Sequence, residues 1–248
     1  MQNALLVGLS RQSALSRELD VIANNIANLN TTGFKADGAV FQEHLMAGAT
    51  GSGLRPVDRR VSFVTDRATW HDQRAGPVQQ TGNPLDVAID GSAFFVVQTP
   101  RGERYTRNGA LQLNATGELV TSEGYKVLGE SGPIVFQPQD RNITFGLDGS
   151  VSAGETARGK LRLVEFAQSG RLQKDGSSNF QAPAGVQPQP SRFGRVLQAS
   201  IEKSNVNGVM EMTRMIEATR TYTNISQLMQ SQGDMRKTSL DRLAEVPA

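Results

Sequence analysis

The sequence predicts an α+β protein: helices at the two chain ends, paired in a coiled-coil-like manner, with a central, mostly antiparallel β domain between them. Three observations carry this. Leu15, Leu19, Ile22, Ile26 and Leu29 recur at alternating steps of four and three, a seam that runs back through Gln12 and Gly8 to Leu5 and has the spacing of a helix that needs a partner helix. A matching seam near the other end runs through Met212, Met215, Thr219, Tyr222, Ser226 and Met229, flanked by Val209, Ile216, Ile225 and Leu228. Between the two, turn signals separate short apolar runs at intervals of about eight to twelve residues, the texture of an antiparallel meander.

The first helix is expected to fade near Asn28, because Asn28, Asn30, Thr31, Thr32 and Gly33 are poor helix-interior residues and a glycine just past a periodic run is a stop signal. Gly33 is therefore expected at positive φ, and Phe34 returns to an apolar environment. If Leu19 and Ile26 take position a of the seam, Asn25 lies beside it, while Asn24 and Asn28 lie away from it, where a solvated helix carries Lys or Glu. Neutral amides bond to other chains without the desolvation cost of a buried charge, so this face reads as contacting other copies; a surface helix that carries Asn near its end is the alternative.

Residues 36–80 lose periodicity. Gly48, Gly51 and Gly53 cluster, and the mixed charges Arg55, Asp58, Arg59, Arg60, Asp66, Arg67, Asp72 and Arg74 follow, which suggests an extended connector with a short strand at Val61–Val64. Trp70, the only tryptophan, either pins this connector to another part or packs on its own domain. From Pro84 the texture is β: Leu85 to Ile89, then Ala93 to Gln98 across an Asp90-Gly91 turn, then runs around Leu111, Leu119, Tyr125 to Leu128, Ile134 to Phe136, Ile143 to Phe145 and Leu161 to Phe166. Gly170–Ser191, with Pro183, Pro188 and Pro190, reads as a mostly extended returning stretch. The fragment Gln80–Phe166 is expected to fold alone. The last helix is expected over 207–240, and it holds five of the seven methionines, whose unbranched thioethers suit either several partner geometries or a private core.

Composition excludes more than it assigns. A formal net charge of +2 with no basic run gives no footprint for nucleic acid. With no cysteine, disulfides and thiolate metal sites are excluded. His44 and His71 have no third ligand near them in sequence, and Asp86 and Asp90 flank a strand as turn formers rather than as an acid–base pair. No nucleotide loop or hydrolase motif is present. No catalytic residue, cofactor, metal or small-molecule substrate is expected. The apolar patch Leu5–Leu9 is cut short by Arg11, Arg17 and Glu18, so it fits neither a signal-peptide core nor a membrane span.

Three blocks carry a family resemblance: Ala23-Asn24-Asn25-Ile26-Ala27-Asn28-Leu29-Asn30-Thr31-Thr32-Gly33-Phe34-Lys35; Thr81 to Gly91, followed by Phe94-Phe95 and Tyr105-Thr106-Arg107-Asn108-Gly109; and Ser204-Asn205-Val206-Asn207 with Glu211, Met215-Ile216 and Arg220-Thr221-Tyr222. Together they resemble the signatures of the bacterial flagellar rod and hook axial family, in order and across nearly the whole chain. The resemblance implies an inner domain made by residues 1–35 and 207–248, a connector at 36–80, a central β domain at 81–190 and a return linker at 191–206. It implies a subunit of the basal-body rod, the proximal rod before the distal rod, that polymerises helically with copies of itself and with neighbouring rod proteins in the periplasm. Delivery by the flagellar export apparatus without a cleaved signal peptide follows from the same resemblance. Helix pairing and subunit contacts would then fall on Leu15, Leu19, Ile22, Asn24, Asn25, Ile26, Asn28, Leu29, Gly33 and Phe34 at one end, and on Met212, Met215, Ile216, Tyr222, Ile225 and Met229 at the other. Outside the family, a coiled-coil adaptor with a ligand-binding β domain fits the same pattern.

Overall fold

The computed structural model describes residues 2–47, 60–176, 178–191 and 194–244. The chain divides into two units, one gathering Met1–Ile26, Asp37–Trp70 and Gly208–Ala248, the other Ala27–Ala36 and His71–Asn207. The first unit holds α1 (Gln2–Ala27), β1 (Asp37–Ala47), β2 (Arg60–His71) and α2 (Gly208–Ala244). Residues 37–47 and 60–71, expected to belong to a connector, form two long strands paired with each other. The glycine cluster and the charges at Arg55, Asp58 and Arg59 lie outside the described residues. A Cβ built on Gly38 would fall 2.3 Å from Trp70 Nε1, so the indole lies on the backbone of its own unit.

The buried stripe of α2 keeps Met215, Tyr222 and Met229 of the expected seam but takes Glu211 and Ala218 in place of Met212 and Thr219. Glu211 and Ala218 are buried, and Met215, Tyr222, Ile225 and Met229 are half-buried, so the stripe advances by alternating steps of four and three from Glu211. Met212 is 53% exposed and Ile216 59%, with Val209 on the same face at 76%. The periodicity alone could not place the stripe in the first turns, because apolar residues occupy both faces there and a buried Glu looks polar in sequence. Thr213, Thr221 and Thr223 each donate to the carbonyl four residues back at 2.8–3.0 Å. Their hydroxyls are thus satisfied within the helix. From Thr221 through Gly233 no residue is charged.

The second unit contains the remaining strands: β3 (Val78–Gln80), β4 (Val87–Asp90), β5 (Phe94–Thr99), β6 (Gly102–Thr106), β7 (Leu111–Leu113), β8 (Leu119–Thr121), β9 (Lys126–Gly129), β10 (Gly132–Pro133), β11 (Ile143–Phe145), β12 (Ser150–Ala153), β13 (Thr156–Lys160), β14 (Leu163–Glu165), β15 (Gln173–Lys174), β16 (Asn179–Gln181), β17 (Gln189–Pro190), β18 (Arg195–Gln198) and β19 (Ser200–Glu202). Every pairing among them is antiparallel. The main sheet runs β15-β16-β6-β5-β9-β8-β7, with β14 also on β5.

β5 is apolar without alternation because it is buried on both faces. Phe95 and Val97 join Val87, Ile89, Leu111, Leu119, Ile134 and Val196 on one side; Phe94 and Val96 join Tyr105, Phe166, Leu172 and Phe180 on the other. The expected return linker at 191–206 is instead sheet: β18 pairs with β4 and β19 with β3. The strand changes partner at Ala199, whose φ is 55° and whose carbonyl accepts from the Thr81 and Gly82 amides at 2.8 and 3.3 Å. A left-handed L-residue costs about 1–2 kcal/mol and glycine's extra chain entropy about 0.5–1. Ala199→Gly should therefore raise stability by about 0.5–1 kcal/mol, read as a higher urea midpoint at unchanged slope.

Candidate functional site: a three-segment clasp

The blocks that carry the family resemblance converge in space. α1 ends at Ala27, earlier than Gly33, and the chain turns through Asn28, whose carbonyl accepts from the Thr31 amide at 3.2 Å and whose Oδ1 accepts from Thr31 Oγ1 at 3.0 Å. Gly33, at φ 68°, is therefore not the helix stop. A Cβ there would stand 2.4 Å from both the carbonyl carbon of Arg107 and the amide nitrogen of Asn108, so glycine is required by backbone packed on backbone. Phe34 is buried, with Lys174 Nζ 3.6 Å from its ring centroid.

Beyond Phe34 three stretches of chain are bound to one another. Lys35 Nζ donates to Glu202 Oε1 at 2.5 Å and to the Arg74 carbonyl at 2.8 Å. Arg107 donates from Nη1 to Glu202 Oε2 at 3.2 Å and to the Ile89 carbonyl at 3.3 Å, and from Nη2 to the Gly91 carbonyl at 2.6 Å; its guanidinium stands 5.0 Å from the Phe94 ring centroid. Glu202 Oε1 also accepts the Gly76 amide at 3.0 Å, and the Glu202 carbonyl accepts the Gly33 amide at 2.8 Å. Asn205 repeats the pattern with neutral groups: Oδ1 accepts from the Ala36 amide at 2.7 Å, and Nδ2 donates to the Asp72 and Arg74 carbonyls at 2.8 and 3.0 Å.

Lys35, Arg107 and Glu202 are exposed by only 0, 3 and 1%. Two cations thus share one carboxylate out of water. Burial pulls the Lys35 ammonium below its ordinary pKa against the opposing pull of Glu202, and burial likewise lowers Arg107. Such a cluster is held by its hydrogen bonds, which engage both Arg107 Nη atoms but leave its buried Nε without an acceptor, and removing one member leaves charge uncompensated. Its groups are spent on one another, which suits fixing the chain path rather than acting on a substrate. A surface cleft elsewhere in this unit, around Arg101, Arg104, Glu123 and Asp175, is similar: Asp175 takes both arginines at 3.2 and 2.6 Å, and Glu123 accepts Asn179 Nδ2 at 2.7 Å. Among the described residues no group of three or more His, Asp or Glu could hold a metal, and no helix is long and apolar enough to cross a membrane.

The residues expected to pair helices are placed less uniformly. In α1, Ile22 is buried, Leu15, Leu19 and Ile26 are half-buried, and Asn24 is exposed; past the helix end, Leu29 and Asn28 are half-buried. Asn25, expected beside the seam, is an internal tie: Oδ1 accepts the Asp37 amide at 2.8 Å, and Nδ2 donates to the Asp37 carbonyl at 2.8 Å and to Glu211 Oε2 at 3.2 Å. Glu211 in turn accepts from Arg214 at 2.8 Å. At the other end of α1, a Cβ on Gly8 would lie 3.1 Å from Met229 Sδ. The sequence reasoning passed over Lys35, Arg107 and Glu202 as functional residues. Lys35 could have been singled out as the lone charge of the otherwise uncharged block 23–35, whereas Arg107 and Glu202 stand among other charges in or beside their blocks.

Family models match the same three stretches: a flagella basal body rod protein model over residues 5–35, a flagellar hook protein FlgE/F/G D1 domain model over 88–153, and a flagellar basal body rod FlgEFG protein C-terminal model over 197–242. Each stretch supplies one charge of the clasp. The chain is 39% identical over 248 residues to the flagellar basal-body rod protein FlgF of Caulobacter vibrioides, covering 99% of this chain and 100% of that one. It is 38% identical to the FlgF of Mesorhizobium japonicum over 92% of each chain, and 34% identical to the flagellar basal-body rod protein FlgG of Bacillus subtilis over 92% of this chain and 94% of that one. The chain therefore belongs to the flagellar basal-body rod protein family.

Proposed function

We propose that this chain is a non-catalytic structural subunit of the proximal rod, polymerising helically with copies of itself and neighbouring rod proteins into the shaft that transmits torque across the periplasm, and delivered by the flagellar export apparatus. The higher identity of three FlgF relatives, 37–39%, favours the proximal rod; FlgG relatives at up to 35% keep a distal rod subunit as the second reading. Its terminal helices pair antiparallel as a coiled-coil-like inner domain, a reading supported by the contacts of Gly8 with Met229 and of Asn25 with Glu211. The observation that carries assembly is the second apolar face of α2. Val209, Met212 and Ile216 turn away from the buried stripe and stand 53–76% exposed, beside a long uncharged run whose threonine hydroxyls are already satisfied. Such a surface loses little on being enclosed by neighbouring subunits. Asn24, also exposed, is assigned to the same contacts on the α1 side.

The test is Met212→Glu/Ile216→Lys. Both positions are exposed in the single chain, and the pair is a favourable i,i+4 couple, so the stability of the purified protein should change by less than about 0.5 kcal/mol. In cells the variant should be exported but build few complete rods, because each enclosed charge costs on the order of a few kcal/mol. Normal motility would remove this face from the assembly.

A further inference from the structure

We propose that the clasp is an all-or-none device: segments 33–36, 72–77 and 202–205 seat or release together, with Glu202 as their shared pivot. This does not depend on the rod role. Through its carboxylate and its carbonyl, Glu202 holds Lys35, Gly76, Arg107 and the Gly33 amide at once. Asn205 likewise reaches Ala36, Asp72 and Arg74 with one side chain. The Asp72 amide bonds to the Ala36 carbonyl and the Lys203 amide to the Pro77 carbonyl, at 2.8 and 2.9 Å, so each segment is bonded to another of the three. If the returning segment alone lifts out, Lys35 and Arg107 are stranded in an enclosed site without their carboxylate. If the 33–36 segment alone lifts out, the Arg74 carbonyl and half of Glu202 lose their partner. Half-open states thus carry either buried cations without their carboxylate or buried acceptors short of a donor, burdens that neither the closed nor the fully open, hydrated state carries. Ala36, His71 and Asn207, three of the four points where the chain passes out of this unit, lie in or beside these segments.

Amide hydrogen exchange on the full-length chain tests this at Gly33, Ala36, Gly76 and Lys203, with Leu119 and Thr121, bonded to the Ile134 and Tyr125 carbonyls, as core references. Local opening sets these rates. Glu202→Gln should accelerate all four clasp amides by more than about 100-fold, equally within about threefold, and leave the references unchanged. Lys35→Met keeps the Arg107–Glu202 pair and should accelerate all four by about 10- to 100-fold. Where Glu202→Gln also releases the references, Lys35→Met decides. Acceleration confined to Gly33 and Ala36 in Lys35→Met, with Gly76 and Lys203 within about twofold of the parent, would overturn the proposal; so would unchanged protection of all four in either variant.

Discussion

A fragment of Gln80–Phe166 should show no cooperative unfolding, whereas Ala27–Asn207 should keep a single sharp transition. The sequence suggested the opposite for the shorter piece, since its apolar runs and turn signals look complete. In the structure that piece lacks Leu172 and Phe180 from one side of β5 and Val196 from the other, all at most 2% exposed. It also lacks β18, the ladder partner of β4, and β16, the outer partner of β6. Three fully buried apolar side chains are worth roughly 5–9 kcal/mol, against a total stability of about 5–15 kcal/mol for a whole domain. Arg107 would in addition lose Glu202. Thermal melts followed by circular dichroism on both fragments decide the matter. A cooperative melt for Gln80–Phe166 would mean that the two-sided core is not required.

That contrast marks what was legible. Alternation and turn residues reveal strands that are sequential neighbours, and so β5, β6, β8 and β9 could be read from the sequence. β15 to β19 are short, polar or proline-bearing, and they become strands because distant partners await them: Phe180 sits across from Tyr105, and Leu197 across from Ala88. The helices were legible as helices from their period. The side that α2 buries was legible at Met215, Tyr222, Ile225 and Met229 but not in the first turns, where Glu211 is enclosed while Met212 and Ile216 are exposed. Within the clasp, Gly33 and Phe34 could be singled out, but their use could not. A glycine after a helical run signals a stop in one dimension and close backbone packing only in three. Lys35 and Glu202, 167 positions apart, leave no periodic trace at all.

Gly33 is where that difference has the largest measurable effect. Were it simply a helix stop at positive φ, Gly33→Asn would be mild, since Asn tolerates the left-handed region, and Gly33→Val severe. Against the Arg107–Asn108 peptide the two should converge. A Cβ at position 33 meets the Arg107 carbonyl carbon and the Asn108 nitrogen at 2.4 Å and the Arg107 oxygen at 2.7 Å. These are backbone atoms beside the Arg107 side chain that Glu202 holds, so they cannot swing aside as a flexible side chain would. Overpacking of this kind costs about 1–3 kcal/mol and the strained conformation about 1–2 more. Gly33→Ala and Gly33→Val should each destabilise by about 2–5 kcal/mol and Gly33→Asn, whose conformational cost is smaller, by about 1–4 kcal/mol. Gly82 supplies the control, having φ 79° and open space where a Cβ would go. Gly82→Asn pays only for backbone conformation and should cost less than about 1 kcal/mol. Urea unfolding of the four variants separates the causes: if Gly33→Asn proves as mild as Gly82→Asn, the peptide of Arg107 yields, and the close approach does not hold segment 33–36 in place.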